Sequence, residues 1–152
     1  MSSNVTNAFS DPNIIQNNYD LSKIFIRNNR FDQATFINNT GATASFPEGT
    51  LIARNSTTGN IVPWDNDVTA NGQSLIIGVL RDDVNDLADT ATVENVYFCY
   101  EGDVNQSRII FNDGAQTLDT VIAALNKRVR DVLHDIGIRP IPTTELTNFD
   151  NS

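Results

Sequence analysis

The sequence predicts a mainly β fold of the α+β class: a compact antiparallel β module with one C-terminal α-helix and an extended N-terminal arm. Three observations predict it. Short β-type runs punctuated by Gly, Asn, Asp or Pro recur from Lys23 to Phe111. After Gly114 the apolar period changes to threes and fours, and before Lys23 the chain shows neither period. Twenty Asn and fifteen Asp against four Glu also suit turns and loops better than a helix bundle, because their short side chains compete for backbone hydrogen bonds.

Residues 1–30 read as the arm. Its apolar side chains up to Leu21 are too sparse to offset backbone ordering at about 1–2 kcal/mol per residue, so it is expected to order only against a partner. The arm ends in a denser run, Tyr19, Leu21, Ile24, Phe25 and Ile26, able to add a strand to an exposed sheet edge. These five are the candidate contact residues. The alternative is that KIFIR at 23–27 is the first strand of the module's own sheet.

Residues 31–113 form the predicted β-rich domain, with runs ATFIN, TLIAR, NIVPW, SLIIGVL, VENVYFCY and RIIF. Between TLIAR and NIVPW, the stretch Asn55 to Asn60 makes a hairpin loop in which Gly59 supplies positive φ. Residues 114–139 hold the predicted helix, running over 117–136 on Leu118, Val121, Ile122, Leu125, Val129, Val132, Leu133 and Ile136. Thr117 is placed to cap its start, Gly137 to close it and Pro140 to stop it. Residues 140–152 are a polar tail.

The formal charge of −9 repels phosphate backbones and anionic membranes, so neither nucleic acid nor membrane is expected as a partner. One Cys excludes a disulfide framework within the chain. No apolar run approaches a membrane span, and the polar start lacks a signal peptide's features, which suits synthesis in a cytoplasm.

Catalysis finds no constellation. His134 is the sole histidine, and Arg130 and Ile138 at i−4 and i+4 give it neither nucleophile nor carboxylate. Cys99 lies in the aromatic run Tyr97 to Tyr100 and reads as a buried small hydrophobe. Asp65-Asn66-Asp67 and Asp82-Asp83-Val84-Asn85-Asp86 with Asp89 offer hard oxygen ligands, yet neither has EF-hand spacing, so both read as solvated loops. Trp64 reads as core or subunit contact, with a sugar platform as the minor alternative. The expectation is therefore a protein that is not an enzyme and has no metal, cofactor or catalytic residue.

Four segments point further. Phe46 to Arg54, Thr57 to Val62, Ile77-Gly78-Val79-Leu80 and Gly102-Asp103-Val104-Asn105 follow one another in the order of the lambda-type head decoration proteins of tailed phages. The sequence resembles that family over about residues 46–139, including Leu133 to Ile138 near the end. The resemblance implies a structural virion protein on the outer surface of an icosahedral head, made in the host cytoplasm. It implies a homotrimer at three-fold positions that stabilises the shell, with the major capsid protein and itself as partners. The long N-terminal extension and acidic tail depart from the pattern. They leave open the base of a head fibre, with head-fibre proteins as partners, and a carbohydrate-binding host-attachment module.

Overall fold

The structure, a computed structural model, describes residues 23–142. Its strands are β1 (Phe25–Ile37), β2 (Ala44–Phe46), β3 (Leu51–Arg54), β4 (Ile61–Pro63), β5 (Ile76–Leu80), β6 (Val84–Leu87), β7 (Thr92–Asn105), β8 (Val121–Ile122), β9 (Lys127–Arg128) and β10 (Ile138–Ile141). A helix, α1 (Val129–Ile136), precedes β10. Strands pair in the order β1-β4-β3-β5-β7, and β1 also pairs with β7, so five strands close into a barrel with β10 added on β7. Closure leaves those five strands few unpaired edges.

The predicted mainly β class with one C-terminal helix is what the chain forms, but the sheet is mixed. β1 runs parallel to β4, and β10 runs parallel to β7. A chain that returns through a helix re-enters the sheet in the same direction, which is how α1 delivers β10.

Both faces of the central strands are buried, which explains their unbroken apolar runs. One cluster draws Phe36, Ile52, Ile61, Leu80, Val96 and Phe98 from all five barrel strands, with Phe46 and Val84 added by the β2–β6 pair. The other places Leu51, Ala53, Val62, Trp64, Ile76 and Val79 against Leu118, Ile122 and the α1 residues Val129, Val132 and Leu133. The Asn55–Asn60 loop closes as expected: Gly59 has φ +77°, and its N–H donates to Asn55 O at 2.8 Å.

Three expectations need correction. The helix does not span 117–136. Residues 117–128 form a Thr-rich turn and a small β8–β9 hairpin that reverses at Asn126, where φ is +50°. Only the eight residues of α1 are helical, starting after Arg128 rather than at Thr117 and ending on Gly137 in the left-handed region. Leu125, placed on the predicted buried stripe, is 40% exposed. Next, RIIF at 108–111 is no regular strand, and its Ile110 makes a lone bridge to Thr50. Finally, KIFIR and ATFIN are one long strand: residues 25–30, read as arm, are the first part of β1, hydrogen-bonded to β7 of the same chain. The arm up to residue 22 and the tail from 143 lie outside the described residues.

Candidate docking surface

Both ends of the described chain meet at one end of β7. Phe25 pairs with Val104, Ile24 O accepts the Asn105 N–H at 2.7 Å, and Ile141 pairs with Asn105. β1 and β10 therefore flank the same stretch of β7. Between them sits Asp103, its side chain only 13% exposed. Arg27 Nε from β1 donates to its carboxylate at 2.6 Å, and Arg139 from β10 donates through Nε and Nη2, each at 3.2 Å. One carboxylate thus ties the first and last strands to β7. Arg30 pairs with Glu101 alongside, at 3.0 Å. A surface groove of about 480 Å³ opens here, lined by Arg27, Asn28, Asp103, His134, Gly137 and Arg139 among others.

Sequence reasoning missed this grouping. Arg27 and Arg139 stand near opposite ends of the chain, and no local spacing announces that one aspartate will join them.

The five candidate contact residues fall differently. Tyr19 and Leu21 lie outside the described residues. Ile24 is 2% exposed in the second core cluster, so its side chain belongs to the module. Phe25 and Ile26 are half-buried on β1, with the Phe25 ring edge-on to Phe31 at 5.1 Å.

The remaining candidates have structural occupations. Trp64 is fully buried and donates from Nε1 to Ser74 O at 2.7 Å, which removes it as a sugar platform. Burial pushes the Cys99 thiol pKa up, the opposite of what a reactive thiolate needs; its Sγ donates to Glu101 O and accepts from Asn29. The acidic run is not all loop, because Val84–Leu87 is strand β6; around it Asp82 accepts the Tyr97 N–H at 2.8 Å, Asp83 the Glu48 N–H at 2.7 Å and Asp89 the Gly41 N–H at 2.9 Å. These carboxylates satisfy main-chain N–H groups, that of Tyr97 within β7 and those of Gly41 and Glu48 in a bend and a turn. Asp65, Asp67 and Asp113 bring carboxylate oxygens within 4.8 Å of one another, and Gln116 Nε2 donates into the group, to Asp65 at 2.9 Å and Asp113 at 3.4 Å.

Glu48 has a raised pKa, first because of burial and then because of Asp83, against the opposing pull of Arg81. The folded state therefore binds this proton more tightly than the unfolded chain does. Its contribution to stability is full below the ordinary carboxylate range and is lost as pH rises through the raised value. Glu48→Gln is expected to melt above the parent at pH 7 and level with it below about pH 4. Equal melting temperatures at both pH values would contradict the assignment.

A family model for bacteriophage lambda head decoration protein D matches residues 25–130. The chain belongs to that family. This decoration protein is accordingly a structural component of a phage virion, associated with the capsid. The match opens on the first residue of β1 and closes on the second residue of α1, so Phe25, Arg27, Asn28 and Asp103 lie inside it. His134, Gly137 and Arg139 lie beyond it. No curated protein matches the chain. No helix among the described residues of the decoration protein is long and apolar enough to cross a membrane.

Proposed function

We propose that this protein cements the outer surface of an icosahedral phage head as a trimer at three-fold positions, with the segment before β1 as its tether. Membership of the head decoration family carries the reading. The path of the chain supports it. β1 is anchored to β7 from its first residue, so whatever residues 1–22 bind is coupled directly to the barrel. Tyr19 and Leu21 are the proposed shell contacts, joined by the exposed parts of Phe25 and Ile26. Ile24 anchors the segment from inside the module. The partner in this reading is the major capsid protein, which such a segment would meet by adding a strand to an exposed edge.

Removing residues 1–22 tests the tether, since it spares Ile24 and all of β1. The shortened protein is expected to fold with an unchanged β-type circular dichroism spectrum and to bind undecorated heads at least about tenfold more weakly. Binding as tight as that of the full chain would reject the tether. A particle map without density for the protein at three-fold positions would reject the placement.

A further inference from the structure

We infer that the groove where β10 ends is the seat of the chain's own C-terminal segment, residues 143–152, with Leu146 and Phe149 as the side chains that enter it. The inference is independent of the tether and of whatever the shell contributes.

This groove, of about 380 Å³, lies among separate pieces of the chain. Ile141 pairs with Asn105, so the end of β10 arrives beside Gln106 and Ser107, which form part of the lining. Phe111, the turn at Thr117 and Leu118, and Arg130 of α1 supply most of the rest. The Arg130 N–H donates to Leu118 O at 2.9 Å, and its side chain donates through Nη1 to Gln106 Oε1 at 3.0 Å, so these pieces are held at a fixed spacing. Leu118 is 7% exposed, and the half-buried Phe111 packs on the same cluster, edge-on to Trp64. The apolar lining is thus the outer margin of the core around Trp64. Its charges are balanced, because Asp119 Oδ1 stands 3.7 Å from Arg130 Nε. An occupant gains here by burying apolar surface, not by bringing a charge.

The path of the chain selects the occupant. Pro142, the last described residue, lines the groove itself, so the segment beyond it starts there. The ring of Pro142 fixes its own φ at about −65°, which narrows the directions in which the segment can leave. Leu146 and Phe149 are the only large apolar side chains among residues 143–152, the others being Thr, Asn, Ser and two acids. Four and seven residues beyond Pro142, they reach at most about 14 and 25 Å from it in extended chain, ample for a groove that begins at the point of attachment. A tethered segment meets its site at an effective concentration of about mM, so two apolar contacts hold where a free peptide would not stay. Docked, the segment is a clasp: it joins the stretch after β7 to the turn at Thr117 and Leu118, and slows the opening of the layer that covers Trp64.

Amide hydrogen exchange over residues 109–122 reads the occupancy. The parent is compared with a chain ending at Pro142, with Leu146→Ser/Phe149→Ser and with Glu145→Gln/Asp150→Asn, each first shown to be folded by far-UV circular dichroism. The shortened chain and Leu146→Ser/Phe149→Ser are expected to exchange this region about tenfold faster than the parent, and Glu145→Gln/Asp150→Asn at the parent's rate. Parent-like exchange in either of the first two would overturn the inference. Exchange in Glu145→Gln/Asp150→Asn as fast as in the shortened chain would make charge the recognised feature and overturn the assignment of Leu146 and Phe149. An isotope-labelled shortened chain refolded with excess unlabelled parent identifies whose tail is bound. Fast exchange that persists in the labelled chain supports a tail serving its own groove, whereas protection gained from the parent makes a neighbouring copy the donor and rejects the inference.

Discussion

Trp64→Ala is expected to lower the unfolding free energy by about 3–5 kcal/mol, the range for emptying a large aromatic site in a packed core. Trp64 is fully buried, and Phe111 meets its ring edge-on at a centroid distance of 6.1 Å. It shares a cluster with Leu51, Val62, Leu118 and Ile122, so it joins the barrel's outer face to the segment that covers it. Truncation opens a cavity between two layers that the short hairpin β8–β9 has little means to close. It also strips the buried Ser74 carbonyl of the indole N–H at 2.7 Å, and an orphaned acceptor adds about 1–3 kcal/mol to the loss. Trp64→Phe restores much of the volume but not the donor and should fall between the two. Denaturant unfolding followed by far-UV circular dichroism reads the difference, since the fluorescence of the sole tryptophan disappears with it. A loss below about 1 kcal/mol for the alanine variant would show that the covering segment is not held through this residue.

Gly102→Ala is expected to cost about 3 kcal/mol or more, by adding a steric conflict to backbone strain. Gly102 has φ +123° and sits where β1, β7 and β10 meet. A Cβ there would lie 2.7 Å from Asn28 O and from the Asn29 Cα, main-chain atoms of β1 that cannot swing aside. Relief requires β1 to move off β7, at the end where Phe25 and Arg27 are paired. Gly59→Ala separates the two contributions. Gly59 also has positive φ, at +77°, but nothing stands within 4 Å of its would-be Cβ, so its loss should stay near the 1–2 kcal/mol of strain alone. Equal losses at the two positions would mean that close approach of β1 is not what Gly102 serves.

The strands of the barrel were readable in the sequence because they are buried on both faces, although their closure through the β1–β7 pairing was not. Leu51-Ile52-Ala53, Ile61-Val62 and Ile76 to Leu80 are short, apolar and bounded by turn residues, and each became a strand. The helix was misread because a spacing of threes and fours does not require a helix. Leu118 and Ile122 point into the core from a turn and a hairpin, while Val121 and Leu125 are 49% and 40% exposed. A local signal stood against the periodicity: Thr117, Thr120, Val121 and Ile122 are β-branched, and Asn126 is a residue type that accepts the left-handed turn it adopts. The helix end was legible because Gly137 has a definite task, its N–H closing on the carbonyls of Leu133 and His134. The Arg27–Asp103–Arg139 cluster was not, since it exists only once the first and last strands lie on either side of β7. Short-range patterns carry elements; the joining of distant ones depends on topology.

The antiparallel ladder between β1 and β7 has a mechanical meaning. A pull on residue 23 is directed along β1, and β1 is paired to β7 from Phe25↔Val104 to Ile37↔Thr92. Such a load shears many rungs together instead of peeling them one after another. The bulges along β1 divide the ladder into short registers, so a slip in one need not carry into the next. Forced separation is governed by the rate of unfolding rather than by the equilibrium between states. In the proposed tether, a strand loaded lengthwise and bridged at its root by Asp103 would make retention on the head a matter of how slowly the barrel yields.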